Sequence, residues 1–402
     1  MPAFSSYSAP LRILALSGAL ALAACGGGGG DNSSGSGQGT LQVSMTDAPS
    51  CGFDHVFVTV NKVRVHTDAN ADPSANGWVD ISLSPSRKID LLSLTNGVLT
   101  TLGQTPLPAG TYQQVRLVLD PNGSGASALS NSVVPTGGTE QAMDTPSAVQ
   151  SGIKINRPFV VAPGTLTDLV LDFDACKSVV ARGNGSFNLK PVVTAIPTLV
   201  SGAVTGVVGA APGARVYAER NGVVVKATLA DGSGNFTLSP IEQSSTAGPV
   251  DVVIVPGSAN LRAAGVVRSV PVVAGGSTTI STAGSPITLP TSAYRLVSGT
   301  VTPASALATI RALQVTSGGT FEFAATAAAS DTGAYSLFSL ADPALPAAAT
   351  MIGTYQTTLP IPLSADAGSA GKYNIQATSA TGTVSTQAVN VTSANAIQNF
   401  SF

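Results

Sequence analysis

The chain has 402 residues, of which 44% are hydrophobic and only 10% charged, with 19 basic and 21 acidic side chains and a formal net charge of −2. The cations are scattered rather than gathered in a stripe, which excludes the electrostatic footprint of a nucleic-acid binder. Gly (43) and Pro (26) are abundant, and a composition neither disordered nor rich in Glu, Lys and Leu fits several all-β domains of short strands and many turns.

Residues 1–24 read as a cleaved secretory signal. Arg12 precedes an apolar stretch, Ile13 to Leu22, of about ten residues, too short to span a bilayer as a helix. The tetrapeptide Leu22-Ala23-Ala24-Cys25 resembles the lipobox of bacterial lipoproteins. That resemblance implies cleavage before Cys25 and acylation of its thiol, a membrane anchor whose acyl chains each contribute about 0.8 kcal/mol per buried methylene. The alternative is an ordinary signal cut after Ala-x-Ala, with Cys25 incidental. Residues 25–39 comprise the cysteine and a Gly/Ser-rich tether. Gly26 stands where enterobacterial lipoproteins retained at the inner membrane carry aspartate, so by analogy the destination is the outer membrane.

The first domain covers 40–198. "LQVSMTDAP" alternates, with Leu41, Val43 and Met45 on one face and Gln42, Ser44 and Thr46 on the other, which predicts a half-buried strand with a turn after it. In "HVFVTVNKVRVH", Val56, Val58 and Val60 share one parity and Val63 and Val65 the other, so a β-bulge or bend is expected near Asn61 and Lys62. Further strands are read in "WVDISL", "TYQQVRLVLD", "TDLVLDFD" and "SFNLKPVVTAI", between turn clusters such as Asn76-Gly77. Strands this frequent favour a sandwich.

The ordered blocks "GTLQVSMTDAPSCGFDHVFVTVNKVRVH", "GWVDI", "RKIDLLSLTNG", "LPAGTYQQVRLVL", "NSVVPTGG", "LVLDFDACKSVV" and "FNLKPVV" resemble the bacterial family called domain of unknown function 4382. The resemblance implies an extracytoplasmic sandwich-like module without established catalytic residues. With Cys25 acylated, Cys51 and Cys176 remain. In an oxidising compartment this pair reads as a disulfide, worth on the order of 4–5 kcal/mol for so long a loop in the chain-entropy model.

Candidate chemistry is sparse. The two histidines, His55 and His66, lie on one extended segment and are expected at the strand surface, on opposite faces unless the bulge resets the phase. Neither a G-x-S-x-G elbow nor H-E-x-x-H is present. Asp168, Asp172 and Asp174 share one face of a strand whose other face carries Leu169, Leu171 and Phe173, while Asp47 and Asp54 flank Cys51. Clustered carboxylates suit a hard cation such as calcium. The competing reading, a solvated face of a half-buried strand, carries more weight because no EF-hand spacing appears. Trp78 offers either a sugar-stacking platform or, more in keeping with a single tryptophan, edge packing.

"VSGAVTG" at 200–206 and "VSGTVTP" at 297–303 open two segments, each later carrying an Asp-turn-aromatic pattern: Asp231 to Phe236 and Asp331 to Tyr335. The matched spacing predicts a tandem repeat in which Asp caps the turn and Gly supplies positive φ. The first copy, 199–292, resembles carboxypeptidase-regulatory-like or prealbumin-like sandwiches. The second, 293–402, resembles them weakly.

The expectation is therefore an all-β chain of tandem β-sandwich domains behind a cleaved lipoprotein signal and flexible tether. It would act without a required cofactor as a non-catalytic binding or structural protein of the cell envelope, an outer-membrane lipoprotein whose partner is the membrane and an envelope protein or glycan. The alternatives are a calcium- or carbohydrate-dependent adhesin, an envelope hydrolase, and a small barrel suggested by the terminal Phe402; aromatics at 5% are too few for two girdles.

Overall fold

The computed structural model describes residues 37–48, 52–123, 125, 128–243, 247–337 and 345–402. The signal, the tether, Cys25 and Cys51 lie outside them.

The described chain is all-β apart from short helical turns. The first module runs through β1 (Gln38–Ala48), β2 (Phe53–His66), β3 (Val79–Asp90), β4 (Thr100–Pro108), β5 (Gly110–Tyr112), β6 (Gln114–Leu119), β7 (Ser132–Pro135), β8 (Gln141–Asp144) and α1 (Pro146–Gln150). It continues through β9 (Ile153–Ile155), β10 (Phe159–Val161), β11 (Leu166–Asp174), α2 (Ala175–Ser178), β12 (Val179–Ala181), β13 (Phe187–Leu189) and β14 (Val193–Pro197). One sheet has the order β14-β11-β1-β4; a larger one has the order β12-β13-β8-β7-β2-β6-β9, with β3 also on β2.

Alternation explains the core between them. Leu41, Val43 and Met45 of β1 and Leu169, Leu171 and Phe173 of β11 meet the valines of β2 in one cluster. Each such fully buried side chain contributes roughly 1.5–3 kcal/mol. The bulge forms where the parity changes: the pairing of β2 with both β3 and β6 shifts register between Val60 and Lys62. Val56 to Val60 and Val63 to Val65 thereby reach the same core.

The second module comprises β15 (Ser201–Val207), β16 (Arg215–Arg220), β17 (Val223–Leu229), β18 (Asn235–Glu242), β19 (Val250–Val255), β20 (Gly265–Val270) and β21 (Ser277–Thr279). The third begins with β22 (Tyr294–Arg295), β23 (Val297–Thr302), β24 (Thr309–Thr316), β25 (Gly319–Ala327), β26 (Ala334–Ser336) and β27 (Leu345–Pro346). It ends with β28 (Thr350–Thr354), β29 (Ser364–Asp366), β30 (Lys372–Thr378), β31 (Val384–Asn390), β32 (Ala396–Ile397) and β33 (Phe400–Ser401).

The two repeats share a turn device. Val208 donates its N–H to Gly234 O, and Val301 donates to Gly333 O, each at 2.8 Å. Gly234 has φ +82° and Gly333 φ +69°, and a Cβ on either would come within 2.1 or 2.0 Å of the Val208 or Val301 carbonyl oxygen. Glycine is required there for two independent reasons, handedness and contact.

The repeats are nevertheless not separate bodies. β28 and β29 of the third segment extend the second module's sheet, giving the order β17-β16-β19-β20-β28-β29. Both faces of that sheet are buried. Val252, Ile254 and Val267 point into the second module's core with Phe236 and Leu238. Their neighbours Val253, Val255 and Val266 point the other way, onto Phe321, Phe323, Ile310 and Tyr373 of the third module. A sheet buried on both sides reads as near-continuous apolar sequence, as "VDVVIV" does.

Candidate functional site

The outer face of the β14-β11-β1-β4 sheet holds the acidic cluster anticipated in the sequence, and it is covered rather than solvated. Ser44, Thr46 and Asp172 are buried. The parallel register of β1 on β11 sets Thr46 opposite Asp172 and Ala48 opposite Asp174. Over this face lies β17, whose Lys226 Nζ donates to Asp172 Oδ1 at 2.6 Å, with side chains 1% and 9% exposed. The turn at Asn96 fastens the same junction: its N–H donates to Thr228 Oγ1 at 2.8 Å, and its Oδ1 accepts the Thr237 N–H at 2.5 Å. The reading of β11 as a half-buried strand with a solvated acidic face is thus corrected by module-on-module packing.

Each acidic candidate has a place. Asp47 is buried at the end of β1, its Oδ1 accepting the Ala175 N–H at 3.0 Å and its Oδ2 without a partner among the described residues. Burial, reinforced by Asp174, holds its carboxyl well above the usual range. Asp172 is also held above that range, since burial outweighs the attraction of Lys226. Asp174 caps α2 by accepting the Lys177 N–H at 3.0 Å, and pairs with Lys177 Nζ at 3.0 Å. Asp168 is raised by burial. Asp54 stands apart, accepting the Gly137 N–H at 3.2 Å. Among the described residues no group of three or more His, Cys, Asp or Glu is disposed to hold a metal ion. Of the candidate carboxylates, Asp172 and Asp174 face lysines and Asp47 and Asp54 face backbone amides.

A second polar seam joins the other modules. Glu219 of β16, fully buried, accepts the backbone N–H of Glu322 on β25 at 3.0 and 3.2 Å. Burial pushes its carboxyl well above the ordinary glutamate value. Arg311 donates to Glu322 Oε2 at 2.6 Å and reaches the Gly222 carbonyl. Lys177 approaches Glu322 at 4.0 Å. Burial works against the charge of Lys177, but Asp174 and Glu322 outweigh it and raise its pKa. Tyr217, buried beside these groups, is pushed up to about 12.

Other expectations resolve locally. His55 is exposed and pairs with Asp90 at 2.7 Å. His66 is not a surface residue: it is buried, its Nδ1 accepting the Asp68 N–H at 2.9 Å and its Nε2 donating to Asn76 O at 2.9 Å. Trp78 forms no open platform, because the guanidiniums of Arg64 and Arg116 lie 4.9 and 5.4 Å from its ring centroid and Nε1 donates to Asp72 O at 2.8 Å. Asp231 caps its turn, accepting from Ser233 and Asn235 N–H at 2.8 and 2.9 Å. Asp331 receives backbone N–H groups of its own turn as well, and both its oxygens also lie 2.7 Å from the Gly183 N–H of the first module. Cys176 lies on α2, its sulfur 4.0 Å from Ala325 O.

Residues 38–191 match the family described as Domain of unknown function (DUF4382). No curated protein matches the chain. Among solved structures, the chain is similar at 10% identity to the major pilin subunit BcpA of Bacillus cereus, covering 90% of this chain and 99% of that one, with TM-score 0.13. A Ca2+-stabilized adhesin with which an Antarctic bacterium binds ice is also 10% identical, over 89% and 74%, with TM-score 0.14. The T6 backbone pilin of serotype M6 Streptococcus pyogenes is 8% identical over 88% and 80%, with TM-score 0.14. Scores this low carry no argument about this chain. Among the described residues no helix is long and apolar enough to cross a membrane.

Proposed function

We propose that the protein is a non-catalytic component of the bacterial cell envelope, held at the outer membrane by acylated Cys25 and presenting its three modules as one locked binding or structural unit. The observation that carries this reading is the burial of the Lys226–Asp172 pair between the first two modules. Catalytic sites direct perturbed groups into a concavity that substrate can enter. Here Asp47 and Glu219 are buried inside the fold or its seams, and Asp172 borders only a pocket of about 90 Å³, too small for more than a few waters; removing one partner of a buried ion pair is strongly destabilising. A chain with so few charges spends them on fixing modules together, as suits a protein that bears load or holds a binding face at a set orientation.

A Cys51–Cys176 disulfide belongs to the same reading. Its support is the Asp47–Ala175 hydrogen bond, which ties the segment leading to Cys51 to the residue before Cys176. The partner is an envelope protein or glycan.

Expression of the full chain with an alkyne fatty-acid analogue tests the anchor. Wild type is expected to carry the label and fractionate with outer membranes, and Cys25→Ser to lose both. An unlabelled wild type overturns the anchor. Thiol titration of the unfolded, unreduced lipoprotein is expected to find no free thiol, and two would remove the disulfide.

A further inference from the structure

The cleft between the first and second modules holds an unusual share of the chain's few cations. It measures about 410 Å³, within the roughly 300–1,000 Å³ of small-molecule sites. Its first wall comes from β9, an edge strand, where Lys154 points away from the core between buried Ile153 and Ile155, and from Arg157 just beyond. The floor is β14, Val193 to Ile196. The opposite wall is Arg220 at the end of β16, Val224 and Val225 of β17, and Glu242 at the end of β18.

The charged groups facing this space are Lys154, Arg157, Arg220 and Glu242. Glu242, the one carboxylate among them, is in an ion pair with Arg157, so the lining keeps an excess of two positive charges. Lys154 makes no ion pair among the described residues. Arg220 donates through Nη2 to the Glu242 backbone oxygen at 2.5 Å, while its buried Nε–H has no partner among the described residues. Burial accordingly depresses the Arg220 pKa.

We propose that this cleft binds a compact oxyanion, phosphate, sulfate or carboxylate, carried by a molecule of monosaccharide size. The anion pairs with the Arg220 guanidinium and with Lys154, both of which line the cleft, in charge-assisted contacts, the geometry at which arginine excels. The rest of the molecule lies over Val224 and Val225, with the Thr194 hydroxyl as a further polar contact. This adds a ligand class to the proposed binding role and does not depend on the lipid anchor, whose labelling test is separate.

Calorimetric titration of the full-length protein at low ionic strength tests it, with glucose 6-phosphate, glucuronate, inorganic phosphate and sulfate as probes and glucose as the neutral control. At least one charged sugar is expected to bind and glucose to give no heat. The ranking of glucose 6-phosphate against glucuronate tells whether the natural group is a phosphate or a carboxylate. Arg220→Gln is expected to weaken binding about tenfold and Lys154→Gln severalfold, the loss of one charge-assisted contact each. If Arg220→Gln disturbs the circular dichroism spectrum, Lys154→Gln decides, because its exposed side chain has no bond to lose. Absence of heat with every anion, or equal affinity in wild type and Lys154→Gln, overturns the site. Inorganic phosphate binding as tightly as the sugar phosphate keeps the oxyanion and overturns the sugar-sized ligand.

Discussion

Replacing Lys226 by Met leaves Asp172 as an uncompensated carboxylate in the junction between the first two modules. Asp172 has one ion-pair partner, 2.6 Å away and itself almost wholly buried, and Asp174 adds repulsion from the same strand. The variant loses the attraction and keeps most of the desolvation, an expected deficit of about 3–5 kcal/mol at pH 7. The double variant Lys226→Met, Asp172→Leu removes both charges and fills the space with apolar atoms, and should return to within ~1 kcal/mol of wild type, because a buried pair against its apolar substitute is near balance. Guanidinium unfolding followed through Trp78 emission and circular dichroism measures both. The pH adds an internal control: Asp172 is held above the ordinary carboxylate range, so protonation at pH 4 relieves the single variant and its deficit should shrink. A single variant within ~1 kcal/mol of wild type at pH 7, or a double variant as damaged as the single, would refute the claim that this pair locks the modules.

Three further outcomes are expected. Glu219 has a folded-state pKa raised well above its ordinary value, so its contribution is complete below the unfolded pKa and is lost as pH rises through the folded one; Glu219→Gln should flatten that loss, its thermal midpoint gaining on wild type from pH 4 to pH 8. Gly234→Ala and Gly333→Ala should each lower stability by more than about 1–2 kcal/mol, the left-handed penalty alone, because Cβ also meets a carbonyl oxygen; Gly213→Ala, at φ +71° with open space around Cβ, should show only that penalty in the same urea titration. The His55 ring should titrate in proton NMR above the ordinary histidine value, held there by its hydrogen bond to Asp90, and Asp90→Asn should bring the midpoint down.

How much was legible in the sequence depended on the range of the force involved. Side-chain alternation is local, so β1, β2 and β11 could be read directly, and the bulge at Val60 to Lys62 announced itself as a change of valine parity. Burial of the second face of a strand is set by residues far along the chain. Asp172 looks solvent-facing until β17 arrives with Lys226, 54 positions later. His66 was misjudged for a related reason: strand parity says nothing of the loop carrying Asp68 and Asn76 that folds over the ring. Asp231 and Asp331 occupy matching positions in two similar turns, yet only Asp331 also reaches out, to Gly183 in the first module. The difference lies in what each turn abuts, which the turn sequence does not encode.

The shared six-stranded sheet gives these differences a common physical origin. A sandwich built from a single repeat would leave β20 as an exposed edge with unpaired backbone groups, a template for pairing with other chains. In this protein β28 pairs in parallel with β20, from Gly265 opposite Met351 to Arg268 opposite Thr354, and β29 continues the sheet. The edge of the second copy is thus completed by the third, and apolar residues on both faces of β19 become necessary rather than excessive. Once the second and third modules share a sheet, their ends cannot swing independently, so Glu219 of β16 is held in fixed register against the Glu322 N–H of β25. Burial of Glu219 therefore follows from edge completion: it is tolerated because its carboxylate meets a backbone N–H on a neighbour that the shared sheet keeps in place.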